Sequence, residues 1–123
     1  MIHPRQFFSS VRHALRGVGV VFRSEQSFRL QVAGAVVALV AGFAARLSRN
    51  EFIVVLLLIG AVLTLEIINS IFERLVDSFQ PRIHPVVRDV KDIMAGAVLI
   101  VSFVALVVGA VIFWPSVKAF VLY

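Results

Sequence analysis

The sequence predicts an all-α membrane protein, a single domain in which an N-terminal amphipathic surface helix precedes three transmembrane helices. Three observations carry that reading. Hydrophobic residues make up 60% of the 123-residue chain and charged residues only 15%, against about a quarter in soluble domains. Three apolar stretches are each long enough to cross a hydrocarbon core. Ahead of them, apolar residues recur at helical spacing with arginines between.

Residues 1–27 make the surface helix. Phe7, Phe8, Val11, Ala14, Leu15, Val18, Val21 and Phe22 follow the helical repeat, while Arg5, Arg12, Arg16 and Arg23 mostly take other positions. Such a face suits the cytoplasmic membrane surface, and equally well packing on the rest of the protein. The first span covers 28–47, with no polar side chain from Val32 to Ala45. SRNE (Ser48 to Glu51) then allows only an antiparallel partner. The second helix covers 52–77, apolar to Ile68 and then polar along one side. Pro81 and Pro85 in SFQPRIHPVV break the chain into a short loop. The third span, 86–114, carries no charge from Met94 to Trp114, and Trp114 with Pro115 marks the far interface.

Orientation follows from the basic residues. Arg5, Arg12, Arg16, Arg23 and Arg29 lie up to the start of the first span, and Arg74, Arg82, Arg88 and Lys91 between the second and third. Opposite them stand Arg46, Arg49 and Lys118, nine against three of the twelve Lys and Arg residues. This places the N-terminus in the cytoplasm. The same scatter forms no basic stripe, so the +5 net charge does not point to nucleic acid. With no cysteine in the chain, disulfides, thiolate nucleophiles and Cys-based metal sites are excluded. Arg5, Arg12 and Arg16 are spread among apolar residues rather than ahead of them, so no cleavable signal peptide is read. A chain this short needs neighbouring copies to build a pocket of useful size, and an oligomer is expected.

The stretch LEIINSIFERLVD (Leu65 to Asp77) holds the chemistry. At about 100° per residue, Glu66, Asn69, Ser70, Glu73 and Asp77 share one face within about 100° of arc. Ile67, Ile68, Ile71, Phe72, Leu75 and Val76 cover the rest. The orientation sets Glu66 roughly 16 Å deeper than Asp77, close to or inside the hydrocarbon. A carboxyl there is costly unless paired, neutral or reached by water, which makes it a functional candidate; Asn69 serves equally as glue between helices. The deeper carboxylate is suited to accept a proton and the shallower Glu73 to hold a hard cation. Glu25 with Arg29, and Lys91 with Asp92 beside the small residues Ala95 to Ala97, reach the same cytoplasmic level. Carboxylates and a lysine at one depth point to a Mg²⁺–phosphate site. GVGVVF (Gly17 to Phe22) is not a Walker A loop, and no protein-kinase signature occurs.

These pieces resemble a known family. HALRG (His13 to Gly17), EQSFR (Glu25 to Arg29), ExxNSxxExxxD (Glu66 to Asp77), HP (His84, Pro85) and KDxxAGAVLI (Lys91 to Ile100) are similar, in order and spacing, to the small bacterial membrane lipid kinases, prokaryotic diacylglycerol kinase and undecaprenol kinase. The resemblance implies a homotrimer in the bacterial inner membrane, with sites shared between subunits. It also implies transfer of the γ-phosphate of ATP to the hydroxyl of a membrane lipid alcohol, undecaprenol or diacylglycerol. By the same resemblance Glu66 is the catalytic base with Asn69 beside it, Glu25 and Glu73 hold Mg²⁺, and Lys91, Asp92, His13 and His84 meet the nucleotide together with those two acids. Arg29 and Ala95 join Glu66 on the lipid side. Ile71 and Phe72 depart from the smaller pair usual after Asn-Ser, and RLQ (Arg29 to Gln31) with QPRIHP leans toward the undecaprenol branch. The rival reading is a small proton- or cation-coupled transporter built on Glu66; it leaves Glu25, Glu73, Lys91 and Asp92 without a shared task.

Overall fold

The computed structural model describes residues 1, 3–79 and 85–123. Four helices follow one another: α1 (Pro4–Ser24), α2 (Gln26–Ala44), α3 (Arg49–Phe79) and α4 (Pro85–Leu122). The last three are each long and apolar enough to cross a membrane, so this is a membrane protein. α3 packs against all three others, and α1 also packs on α2.

Pro4 opens α1 at a position where its missing N–H costs nothing and its fixed φ is already helical. A single residue, Glu25, separates α1 from α2. Its backbone is extended at φ −111° and ψ 112°, and it caps one helix while opening the next. Arg29 stiffens this elbow. Its Nη1 donates to the carbonyls of Phe22 at 2.9 Å and Arg23 at 2.8 Å, two of the acceptors left free where α1 ends.

The turn between α2 and α3 lies earlier than the sequence places it. α2 stops at Ala44, and three residues of SRNE already belong to α3. The stop is a Schellman motif: Leu47 N–H donates to Gly42 O and Arg46 N–H to Phe43 O, both at 3.2 Å. It needs a left-handed residue, and Arg46 supplies it at φ 53°. Gly42 is buried beneath it, where a Cβ would come within 3.2 Å of Leu47 Cδ1 and 3.3 Å of Phe52 Cε2. α3 then starts with a reciprocal capping box, Glu51 N–H donating to Ser48 Oγ and Ser48 N–H to Glu51 Oε1.

α3 is 31 residues long, about 46 Å against a hydrocarbon core of about 30 Å. The apolar span and its polar extension are therefore one continuous helix. α4 runs eight residues past Trp114, through Pro115, to Leu122. Proline removes one intrahelical hydrogen bond and crowds the preceding turn, yet the helix continues through it. The apolar residues Val117, Phe120, Val121 and Leu122 continue beyond it, and a proline inside a long membrane helix is tolerated.

Six described residues are buried: Val21, Phe28, Gly42, Val55, Glu66 and Ser70. Two are polar, while large apolar side chains such as Leu57, Leu99, Phe103 and Leu106 are exposed. That is the reverse of a soluble core and the arrangement of helices whose apolar surface meets lipid or other protein. An apolar groove of about 410 Å³ runs between α2, α3 and α4, beginning at Gln31 and passing Gly34, Ile59 and Gly109.

Candidate functional site

The polar face of α3 meets the α1–α2 elbow. Because Glu25 breaks the helix, Ser24, Glu25, Ser27 and Gln31 are presented to α3 from both sides of one bend. Ser27 and Gln31 are four apart on α2 and so share a face. Two layers of contacts result.

The deeper layer surrounds Glu66, which is 5% exposed. Ser27 Oγ donates a short hydrogen bond to Glu66 Oε1, and Gln31 Nε2 donates to Oε2 at 3.3 Å. Both carboxylate oxygens are thus oriented by donors from α2. Hydrogen bonds to a buried polar group offset part of the cost of burying it. Gln31 Oε1 is buried and has no hydrogen-bond partner among the described residues.

The shallower layer lies about one turn further along α3. Ser70, 2% exposed, donates to Glu25 Oε1 at 3.2 Å. Arg74 donates from Nε to Ser70 Oγ at 3.4 Å and from Nη2 to Ser24 Oγ at 2.6 Å. Asn69 Nδ2 donates to Glu73 Oε1 at 3.4 Å, while Asn69 Oδ1 is buried without a partner among the described residues. From α4, Lys91 Nζ meets Asp77 Oδ1 at 2.6 Å in an exposed ion pair.

Of the site residues expected from sequence, Glu25, Glu66, Asn69 and Glu73 therefore gather at one junction, and Lys91 is tied to the same face of α3 through Asp77. Arg29 holds the elbow. His13 is exposed on α1, and Asp92 and Ala95 are exposed on α4; none of the three enters these hydrogen-bonded layers. His84 lies outside the described residues. Among the described residues no three acidic or histidine side chains cluster closely enough to hold a metal by themselves. Sequence reasoning missed Ser27, Gln31 and Arg74. The signal was available for Gln31, since a polar residue in an apolar span faces protein more often than lipid; Ser27 falls in the segment assigned to the surface helix and joins α2 only because the bend lies at Glu25. Arg74 counted only as a cytoplasmic positive charge.

Comparison with known proteins bears directly on this junction. The sequence profile described as prokaryotic diacylglycerol kinase matches residues 12–113, a range holding every expected site residue. The chain belongs to the prokaryotic diacylglycerol kinase family. It is 36% identical over 111 residues to the undecaprenol kinase of Bacillus subtilis, covering 90% of each chain. It is 30% identical over 107 residues to a diacylglycerol kinase of Synechocystis, covering 86% of this chain and 61% of that one. With a diacylglycerol kinase of Pseudomonas aeruginosa the identity is 29% over 113 residues, 92% of this chain and 88% of the relative. As a member of this family the chain is a lipid kinase, a transferase carried on membrane helices, and the transporter reading of Glu66 finds no support.

Proposed function

We propose that this kinase transfers the γ-phosphate of ATP to the hydroxyl of a membrane lipid alcohol, a polyprenol such as undecaprenol ahead of diacylglycerol. The observation that carries the reading is Glu66, a buried carboxylate where the apolar part of α3 meets its polar extension, oriented by Ser27 and Gln31 from α2. The preference for a polyprenol draws on the RLQ segment and on similarity to the Bacillus subtilis undecaprenol kinase.

Glu66 is the base in this reading. The acceptor hydroxyl approaches along the groove that begins at Gln31, gives its proton to a Glu66 oxygen, and its oxygen bonds to the γ-phosphorus. The bond from that phosphorus to the bridging oxygen breaks, and ADP leaves. Ser27 and Gln31 hold the carboxylate so that little reorganisation is needed at the moment of transfer. Asn69 sits one turn away and holds Glu73. Lys91 supports the phosphates: its pair with Asp77 is solvent-exposed, and such pairs hold their partners weakly, so the ammonium is free to exchange onto a phosphate. By the family resemblance Asp92 and His13 would contact the nucleotide, and Arg29 and Ala95 the lipid.

The residues present suit a Mg²⁺ ion. Glu25 and Glu73 are both bonded to one turn of α3, and Asn69 Oδ1, buried and without a partner among the described residues, adds a hard oxygen donor on that turn. Magnesium is commonly held by one or two carboxylates together with substrate phosphate oxygens, so the absence of a closed three-residue cluster is in keeping with such a site. When bound, the ion would neutralise charge on the transferring phosphates.

The apolar exposure of α2, α3 and α4 supports self-association, and the family resemblance implies three copies. α1, with Phe7, Phe8 and Leu15 exposed and arginines between them, would lie on the cytoplasmic surface of the bacterial inner membrane, the N-terminus inside. The test supplies the purified chain in mixed micelles with γ-labelled ATP, Mg²⁺ and, in parallel, undecaprenol, diacylglycerol or ceramide. Label in undecaprenol above the others supports the reading. Label only in diacylglycerol overturns the acceptor, and none in any lipid overturns the transfer.

A further inference from the structure

The elbow at Glu25 is gripped from two directions, and only one grip reaches the carboxylate. Arg29 acts on backbone carbonyls of α1. Arg74 acts on side chains: Nη2 on Ser24 Oγ at 2.6 Å, and Nε on Ser70 Oγ at 3.4 Å, from which the Ser70 hydroxyl donates to Glu25 Oε1 at 3.2 Å. A serine hydroxyl carries one hydrogen and can accept two. Inside a helix it readily turns that hydrogen back to the carbonyl four residues earlier. An N–H donor set against the oxygen biases Ser70 the other way, toward Glu25. Ser70 is 2% exposed, so water does not substitute freely for this partner.

We propose that Arg74 is a positioning residue for metal–nucleotide binding. Through Ser70 it fixes the direction of the Glu25 carboxylate, and so sets affinity for the cation–ATP complex rather than the rate of transfer. The inference rests on Glu25 being a cation-holding acid, as proposed above. Two features separate it from a general structural role. The end of α1 does not depend on Arg74, because Ser24 Oγ also donates to Val20 O at 2.9 Å and Arg29 closes the last carbonyls. The Nε and Nη2 edge of a guanidinium also spans two acceptors at once. Lysine offers one such point, and can restore the tie to Ser24 or the bond to Ser70, not both.

The test titrates the full-length chain in micelles with Mn²⁺·ATP, following free Mn²⁺ by electron paramagnetic resonance, and measures lipid labelling on the same preparations. Arg74→Ala and Ser70→Ala should each weaken Mn²⁺·ATP binding by about tenfold, the scale of one hydrogen bond to a charged group, and Arg74→Lys should recover affinity only as far as its ammonium bonds Ser70 in place of the guanidinium. KM for ATP should rise in parallel, kcat should stay within about twofold, and the Arg74→Ala, Ser70→Ala double variant should be no worse than either single one. Unchanged Mn²⁺·ATP affinity in Arg74→Ala overturns the proposal. So do additive losses in the double variant, which would mean direct contact with nucleotide. The labelling arm keeps the two readings apart. Wild-type labelling with unaffected variants removes only the role of Arg74; weakened variants without any lipid label support that role and remove the lipid acceptor. A wild-type chain that neither binds Mn²⁺·ATP nor labels lipid removes both.

Discussion

Replacing Ser27 by alanine removes the hydroxyl that donates to Glu66 Oε1. A hydrogen bond to an ionised group contributes about 1.5–3 kcal/mol. Ser27 is exposed at its own position while Glu66 is 5% exposed, so the lower end applies, about 1.5 kcal/mol. The single variant will understate it, because alanine is the better helix former by about 0.5 kcal/mol. A double-mutant cycle removes that offset. In a Glu66→Gln background the partner is neutral, and losing Ser27 should cost about 0.5 kcal/mol. Subtraction leaves a coupling of about 1 kcal/mol, roughly a fivefold change in the unfolding equilibrium. Reversible unfolding in mixed micelles, titrated with a denaturing detergent and followed by far-UV circular dichroism, reads all four chains. A coupling below about 0.3 kcal/mol, the range of independent sites, would mean that Ser27 does not orient the carboxylate.

The same unfolding assay checks two features of the α2–α3 turn. Arg46 is held at φ 53°, a conformation costing a non-glycine residue about 1–2 kcal/mol; Arg46→Gly should therefore stabilise by about 0.5–1 kcal/mol after the greater freedom of unfolded glycine is subtracted, and destabilisation would contradict the Schellman reading. Gly42→Leu should destabilise by about 1–3 kcal/mol through overpacking, since a Cβ alone already stands 3.2 Å from Leu47 Cδ1, and an unchanged midpoint would show that the turn is looser than described. Lys91→Met should leave the unfolding midpoint unchanged, its partner being an exposed aspartate, while lowering phosphate transfer; a lowered midpoint with normal transfer would make the lysine structural.

Much of this architecture was legible because lipid imposes simple demands. Any chain crossing hydrocarbon must bond its backbone internally, so long apolar runs could only be helices, and a polar stripe on one of them could only face protein or water. Glu66, Asn69, Ser70 and Glu73 were found on that argument. The helix ends were harder. SRNE contains a capping box whose serine and glutamate lie three apart, which moves the turn toward Ala45 and Arg46, and an arginine in a left-handed conformation leaves no sequence signal where glycine would. Pro115 does not end α4: its cost is one hydrogen bond and some crowding, and the apolar residues beyond it keep the helix going. The donors to Glu66 and Glu25 come from α2 and from Arg74, and their pairing depends on the rotation of each helix about its axis, which spacing along one segment does not specify.

The most direct test of the central claim compares wild-type chain with Glu66→Gln in two measurements on the same micelle preparations: transfer of label from γ-labelled ATP to undecaprenol, and binding of Mn²⁺·ATP. A base that takes the acceptor's proton and has no part in holding nucleotide predicts that transfer is abolished while Mn²⁺·ATP binds as in the wild type. Transfer by Glu66→Gln at close to the wild-type rate would contradict it.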